Sequence, residues 1–202
     1  MYFGTPFVFY QYMEIINRHS DRVILGIDPG TLNFGYCVLF QHDRTYQIYT
    51  RDIFFMHDKD DDQVTKNKKI YGLLEDLYDT YKFDEVSIEQ PVFGKDPQSM
   101  LKLGRVLGCC IGFTIAHGIP VFEYLPKNIK KVITGNGNAA KQQVAFMVAK
   151  ILGFAYEEKS RYDDSDAAAI ALCHAFATSG VCLVDNKKSW DKFIKDNPDR
   201  IL

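Results

Sequence analysis

The chain lacks an excess of charge of either sign: 24 basic residues face 26 acidic ones, a formal net charge of −2 over 202 residues. That balance excludes a protein that coats nucleic acid by bulk charge, so any DNA contact has to come from a local basic surface. The acidic tract Asp58-Lys59-Asp60-Asp61-Asp62 is enough to hide such a surface from the net count. Cysteine is sparse and has no pairing pattern. Cys37, Cys109, Cys110, Cys173 and Cys182 are odd in number, lie mostly in apolar runs and form no CxxC pair. They argue against a disulfide or metal framework and read as reduced core residues of a cytoplasmic protein. A basic leader is missing too. Residues 1–10 are apolar and aromatic, but Pro6 and the absence of lysine and arginine fit a signal peptide badly, and the run is too short to span a bilayer. No membrane association is therefore expected. Residues ahead of Met13 are expected to be a mis-called start or a disposable extension, and no internal repeat is visible.

The length predicts one domain with a sizeable core, placed at 22–180, preceded by an N-terminal extension over 1–21. Residues 181–202 follow as a tail or a short docked helix, the latter favoured by Trp190. Val23 to Ile27 is a β-branched apolar run broken by Asp28-Pro29-Gly30, a strand entering a tight turn. Gly35 to Phe40 and Tyr46 to Phe55 read as two further strands, giving three antiparallel strands at the start. The charged stretch from His57 to Lys69 has no periodicity and is expected to be a mobile surface loop. Ile70, Leu73, Leu74, Leu77 and Tyr78 recur at helical spacing, and a strand follows from Glu85 to Glu89. A long helix is predicted over 97–117, a short strand over 121–124 and a short helix from Pro126 to about Ile133. Two more helices are predicted, from Ala139 to about Leu152 and from Asp163 to about Ala177. The pattern predicts an α/β fold with a central mixed five-stranded sheet flanked by helices.

Four carboxylates stand where these elements begin or end. Asp28 closes Ile24-Leu25-Gly26-Ile27-Asp28, and Glu89 closes Val86-Ser87-Ile88-Glu89. Asp163 and Asp166 open the last helix three residues apart, on one face, with Asp164 rotated away from them. Each has a plainer use. An aspartate before Pro-Gly shapes a turn, a strand-end glutamate is solvated, and acids at a helix start are stabilised by the macrodipole. Gathered at one rim of a sheet, however, the four would repel one another unless cations bound. Hard oxygen ligands with room for water suit Mg²⁺ or Mn²⁺, and two such ions can clamp the attacking and leaving oxygens of a phosphodiester. Lys141 sits in the first turn of a helix, where a cation opposes the macrodipole, directly after Gly135-Asn136-Gly137-Asn138. Glycine and asparagine tolerate left-handed backbone and can expose amide groups. Asn136, Asn138 and Lys141 together therefore look like a phosphate site.

These residues resemble the RuvC family of Holliday-junction resolvases. The resemblance runs from about Val23 to about His174, through Gly26-Ile27-Asp28-Pro29-Gly30-Thr31, Ile88-Glu89-Gln90 and Ser99-Met100-Leu101-Lys102-Leu103-Gly104-Arg105. It continues through Thr134-Gly135-Asn136-Gly137-Asn138-Ala139-Ala140-Lys141 and Asp163-Asp164-Ser165-Asp166-Ala167. Each motif is weak alone, whereas their order and spacing together are specific. The resemblance implies an RNase H-like fold and a homodimer that cuts a four-way DNA junction with two metal ions per subunit. It also implies catalytic metal ligands at Asp28, Glu89, Asp163 and Asp166, and branch-migration partners RuvA and RuvB. Lys130 matches a second family lysine and joins Lys141 on the DNA. The family's aromatic falls at Val92 by strict count; here Phe93, with Lys95 in the same loop, is the residue expected to wedge against a base at the junction centre.

Gly104, Gly108 and Gly112 recur every fourth residue of the long helix, each costing about 1 kcal/mol relative to alanine. Such a stripe means close approach of something, either the sheet within the chain or the second subunit of a dimer. Other functional classes remain open at this stage. An actin-like or sugar-kinase phosphotransferase begins with a similar strand and turn but needs a second nucleotide-binding half. A YqgF-type nuclease acting on RNA and a non-catalytic junction binder share the fold.

Overall fold

The computed structural model describes residues 21–92, 96–156 and 162–179. The expected N-terminal extension before Asp21 and the C-terminal segment from 180 onward, with Cys182 and Trp190, lie outside the described residues.

Strands β1 (Asp21–Asp28), β2 (Asn33–His42) and β3 (Thr45–Phe55) form an antiparallel meander. Helix α1 (Gln63–Tyr81) then carries the chain to β4 (Glu85–Glu89), which pairs with β1 in parallel. Helix α2 (Pro97–His117) leads to β5 (Val121–Tyr124), parallel to β4, and the sheet order is β3-β2-β1-β4-β5. Three helices follow: α3 (Pro126–Thr134), α4 (Lys141–Leu152) and α5 (Asp163–Thr178). β1 is the central strand, and its unbroken buried run Val23–Ile27 reflects cover on both faces. On one face Leu25, Ile27, Phe34 and Val86 pack with Leu74 of α1 and with Val106 and Phe113 of α2. On the other, Ile24, Cys37 and Leu39 pack with Ile133 of α3, Val148 of α4 and the alanine-rich side of α5.

Every strand and helix predicted within the described residues is present; the helix expected from Ala139 begins at Lys141, with Ala140 at its N-cap, and one loop expectation is overturned. The stretch expected to be a mobile loop from His57 to Lys69 is helical from Gln63 onward. Asp62 caps that helix, its side chain accepting a hydrogen bond from the Thr65 amide at 2.7 Å. The start of the helix was hidden because Val64 is the single apolar residue between Gln63 and Lys69 and it is exposed, so no apolar periodicity marks it. The glycine stripe of α2 is also decided in part. A Cβ added at Gly104, Gly108 or Gly112 would meet nothing within 4 Å, so the stripe does not pack on the sheet and faces outward.

Two other glycines do permit a close approach. A Cβ at Gly26 would lie 2.3 Å from the Ala167 carbonyl oxygen and 2.9 Å from the Ala171 Cβ. At Gly35, the residue paired with Asp28, it would lie 2.3 Å from the Asp163 carbonyl oxygen. Bare backbone on β1 and β2, together with alanines on the facing side of α5, lets this helix settle directly on the strands. Gly26→Ala is expected to destabilise the fold by about 1–3 kcal/mol, the usual cost of overpacking. Gly72→Ala, exposed in α1 with open space around it, should instead gain roughly 0.5–1 kcal/mol. Urea unfolding midpoints of the two variants check both signs.

Candidate active site

The parallel pairing of β1 and β4 ends at Ile27 and Ile88, so Asp28 and Glu89 are the next residue on adjacent strand ends. Alternation puts both on the side of the sheet that α5 covers, because Ile24 and Gly26 point that way. The Gly35 contact brings the first turn of α5 over this strand end. Carboxylate oxygens of Asp28, Asp163 and Asp166 accordingly all lie within 4.8 Å of one another. Glu89 falls outside that tight trio but lines the same pocket. It shares the pocket with Asp28, Asp166, Lys130, Lys141 and an apolar wall of Pro126, Ile129, Val144 and Ala169.

A model of the family described as crossover junction endodeoxyribonuclease RuvC matches residues 24–174, a span that holds all four of these acids. This chain belongs to the RuvC family. It is 40% identical over 191 residues to the crossover junction endodeoxyribonuclease RuvC of Cytophaga hutchinsonii, covering 93% of this chain and 94% of that one. The RuvC of Porphyromonas gingivalis is 39% identical over 186 residues, covering 90% of this chain and 98% of the relative. Among solved structures, Thermus thermophilus RuvC in complex with Holliday junction substrate superposes with a TM-score of 0.71 at 28% identity. That match covers 79% of this chain and 97% of the other. The yeast mitochondrial Holliday junction resolvase, at 15% identity and a TM-score of 0.61, shares the fold. The activity of this chain is thus that of a crossover junction endodeoxyribonuclease with an RNase H-like fold, dependent on a divalent metal.

The charges of this pocket suit a divalent cation. Burial pushes the Asp28 carboxyl well above its ordinary range, and the neighbouring Asp166, Glu89 and Asp163 push it further. Glu89 is raised to about 7, first by burial and then by Asp166. Burial also raises Asp166, against the pull of Lys141. A site whose acids resist ionising together is stabilised by hard divalent cations, and the donors are all carboxylate oxygens. The residues present therefore fit such ions.

Lys141, the first residue of α4, partly answers this repulsion. Its ammonium donates to Asp166 Oδ2 at 2.8 Å. Partial burial works against its charge, but the Asp166 bond and the nearby Asp28 and Asp163 hold it above its usual range. Lys130 reaches the pocket from α3. The asparagines of the preceding loop are largely occupied with the loop itself. Asn136 Oδ1 accepts from the Asn138 amide at 3.0 Å, and Thr134 Oγ1 accepts from the Asn136 amide at 3.1 Å. These two amides are thus already partnered, and the cationic part of the expected phosphate site rests on Lys141. Phe93 and Lys95 lie outside the described residues, while Val92 just before them is 63% exposed. The residues that sequence reasoning passed over are Gly26 and Gly35. Glycine in a strand interior was the available signal.

Without metal, the raised acids give a definite pH dependence. Below the unfolded-state value near 4.5, Glu89 is protonated in both states and costs nothing; between there and about 7 only the unfolded chain ionises, so stability falls as pH rises. Metal-stripped protein should show a melting temperature that declines from pH 5 to pH 7.5. Glu89→Gln should flatten that decline and raise Tm at the upper end, as read by calorimetry in EDTA.

Proposed function

We propose that Asp28, Glu89, Asp163 and Asp166 hold two divalent ions, Mg²⁺ or Mn²⁺, with which the protein resolves four-way DNA junctions by paired hydrolysis. The convergence of the Asp28, Asp163 and Asp166 oxygens within 4.8 Å, in a chain of this family, carries the reading. Bound there, the ions would activate water for in-line attack and neutralise charge on the leaving oxygen, so no covalent protein intermediate is required. The chain's own part is to position and to screen. Lys130 and Lys141 present ammonium groups to the scissile phosphate, while Ile129, Val144 and Ala169 limit access of bulk water from one side. Phe93, by the family resemblance, meets a base at the junction centre, and Lys95 joins the DNA contacts. The nuclease domain spans 22–180, and the free thiols of Cys37, Cys109, Cys110 and Cys173 agree with a reducing, cytoplasmic setting.

The second subunit docks on α2. Leu101, Gly104, Gly108, Gly112 and Ile115 fall on one side of this helix at heptad-like spacing. Leu101 and Ile115 are 60% and 73% exposed, and open space surrounds the glycines between them. By length and composition α2 could cross a membrane, but its opposite side, with Val106, Cys110 and Phe113, is fully buried against the sheet. An apolar outward side with bare backbone is what close helix pairing between two copies uses. Family membership extends the proposed assembly to RuvA and RuvB.

Cleavage of a synthetic four-way junction beside a linear duplex and an RNA–DNA hybrid, with Mg²⁺ or EDTA, tests the reaction. Metal-dependent paired nicks confined to the junction are expected. Asp28→Asn should slow them at least ~100-fold, about 2.7 kcal/mol of barrier, while junction binding survives. Hybrid cleavage would point to the RNA-directed branch, and binding without cleavage to a structural role. Gly108→Leu is expected to convert a dimer to a monomer in sedimentation and to uncouple the two nicks. An unchanged dimer mass would place the interface elsewhere.

A further inference from the structure

Arg51 of β3 lies in the cross-strand row Gly26–Cys37–Arg51, on the side of the sheet that α5 covers. Its guanidinium stands 3.7 Å from the centroid of the Phe154 ring, a residue just beyond the end of α4. Nη1 lies 3.5 Å from Asp164 Oδ2 and 3.4 Å from Ser165 Oγ. Only 21% of the Arg51 side chain and 11% of the Asp164 side chain are exposed, so the contacts are not loose surface pairs. Asp164 and Ser165 are the two residues between Asp163 and Asp166. Arg51 therefore grips the first turn of α5 by the side turned away from the pocket. Tyr162, at the N-cap, makes no side-chain capping bond to this turn, and three acids crowd it. A planar guanidinium that lies over a ring while it pairs with Asp164 and bonds Ser165 is suited to holding such a helix start against the sheet.

We propose that Arg51 is a positioning residue: by fixing Asp164 and Ser165 against β3 and Phe154, it sets where Asp163 and Asp166 stand relative to Asp28 and thereby tunes divalent-metal affinity. The inference rests on the reading of these acids as metal ligands. Arg51 touches none of them and acts only through the helix turn that carries two. Lysine at this place keeps the charge but loses the planar group that lies over the Phe154 ring.

The test measures Mn²⁺ binding by the metal-stripped full-length chain, from the electron paramagnetic resonance of free Mn²⁺, well below each variant's melting temperature. Junction affinity is measured in parallel in EDTA. Arg51→Gln and Asp164→Asn should each weaken Mn²⁺ binding about tenfold and shift the metal concentration for half-maximal cleavage by a similar factor. Junction affinity should stay within about twofold, and the rate at saturating Mn²⁺ should recover most of the loss. Arg51→Lys, the milder change, should fall between and carries the test if Arg51→Gln does not fold. Lowered melting temperatures with unchanged Mn²⁺ affinity in all variants would make Arg51 a stabilising residue only and overturn the proposal. Asp28→Asn separates the two layers of argument. If it leaves Mn²⁺ binding intact, the acids are not the ligands and the site reading fails first; if it abolishes binding while the Arg51 variants do not weaken it, only the positioning role fails.

Discussion

The site depends on one steric constraint, the near-contact of α5 with β1 and β2. With 2.3 Å from a notional Cβ at Gly26 to the Ala167 carbonyl, and the same from Gly35 to that of Asp163, no side chain fits between helix and sheet at either point. The alanines of α5 answer the glycines of the strands, and the close packing carries the helix start onto the end of β1. A larger separation would move Asp163 and Asp166 away from Asp28 by about the thickness of a methyl group. Metal ligation by oxygen tolerates far less than that.

The helix is secured at its other end by a polar cluster of a different kind. His174, fully buried, places Nε2 2.6 Å from Glu85 Oε2 and Nδ1 2.7 Å from the Tyr124 hydroxyl. The His174 hydrogen bond, with help from Arg22, holds the Glu85 carboxyl below its usual range. Arg22 continues the network to Gln41 and to Thr178 in the last turn of α5. With Glu85 ionised, Nε2 donates to it while Nδ1 shares a hydrogen bond with the Tyr124 hydroxyl, so this network is satisfied internally. The contrast along one helix is instructive. At the far end opposite charges pair and stabilise the fold, whereas at the pocket end like charges are held together at a cost that only cations relieve.

Lys141 mediates between these regimes. Its bond to Asp166 offsets part of the acid repulsion without an ion, which lets the folded chain tolerate its own active site. The same ammonium lines the pocket, where the proposed function has it meet the scissile phosphate.

Local signals in the chain determined the order of elements: apolar alternation and β-branched runs marked β1 to β5, and Pro97, Pro126 and the glycines after the helices bounded them. They also marked Asp28 and Glu89 at strand ends and Asp163 and Asp166 at a helix start, places that are each ordinary alone, and the order of motifs pointed to the family. The helical start over 63–69 was illegible, since a polar stretch capped by Asp62 and holding one apolar residue, the exposed Val64, leaves no hydrophobic period. The direction of the α2 glycine stripe was illegible for another reason: a helix carries no record of which side its neighbours occupy. Only the tertiary structure decided that Gly26 and Gly35 set the depth of α5, that Lys141 rests on Asp166, and that Arg51 reaches Asp164 across 113 positions of chain, one fewer than the 114 separating it from Ser165. Those are distances between residues remote in sequence, and they exist only once the sheet and its covering helices have been packed together.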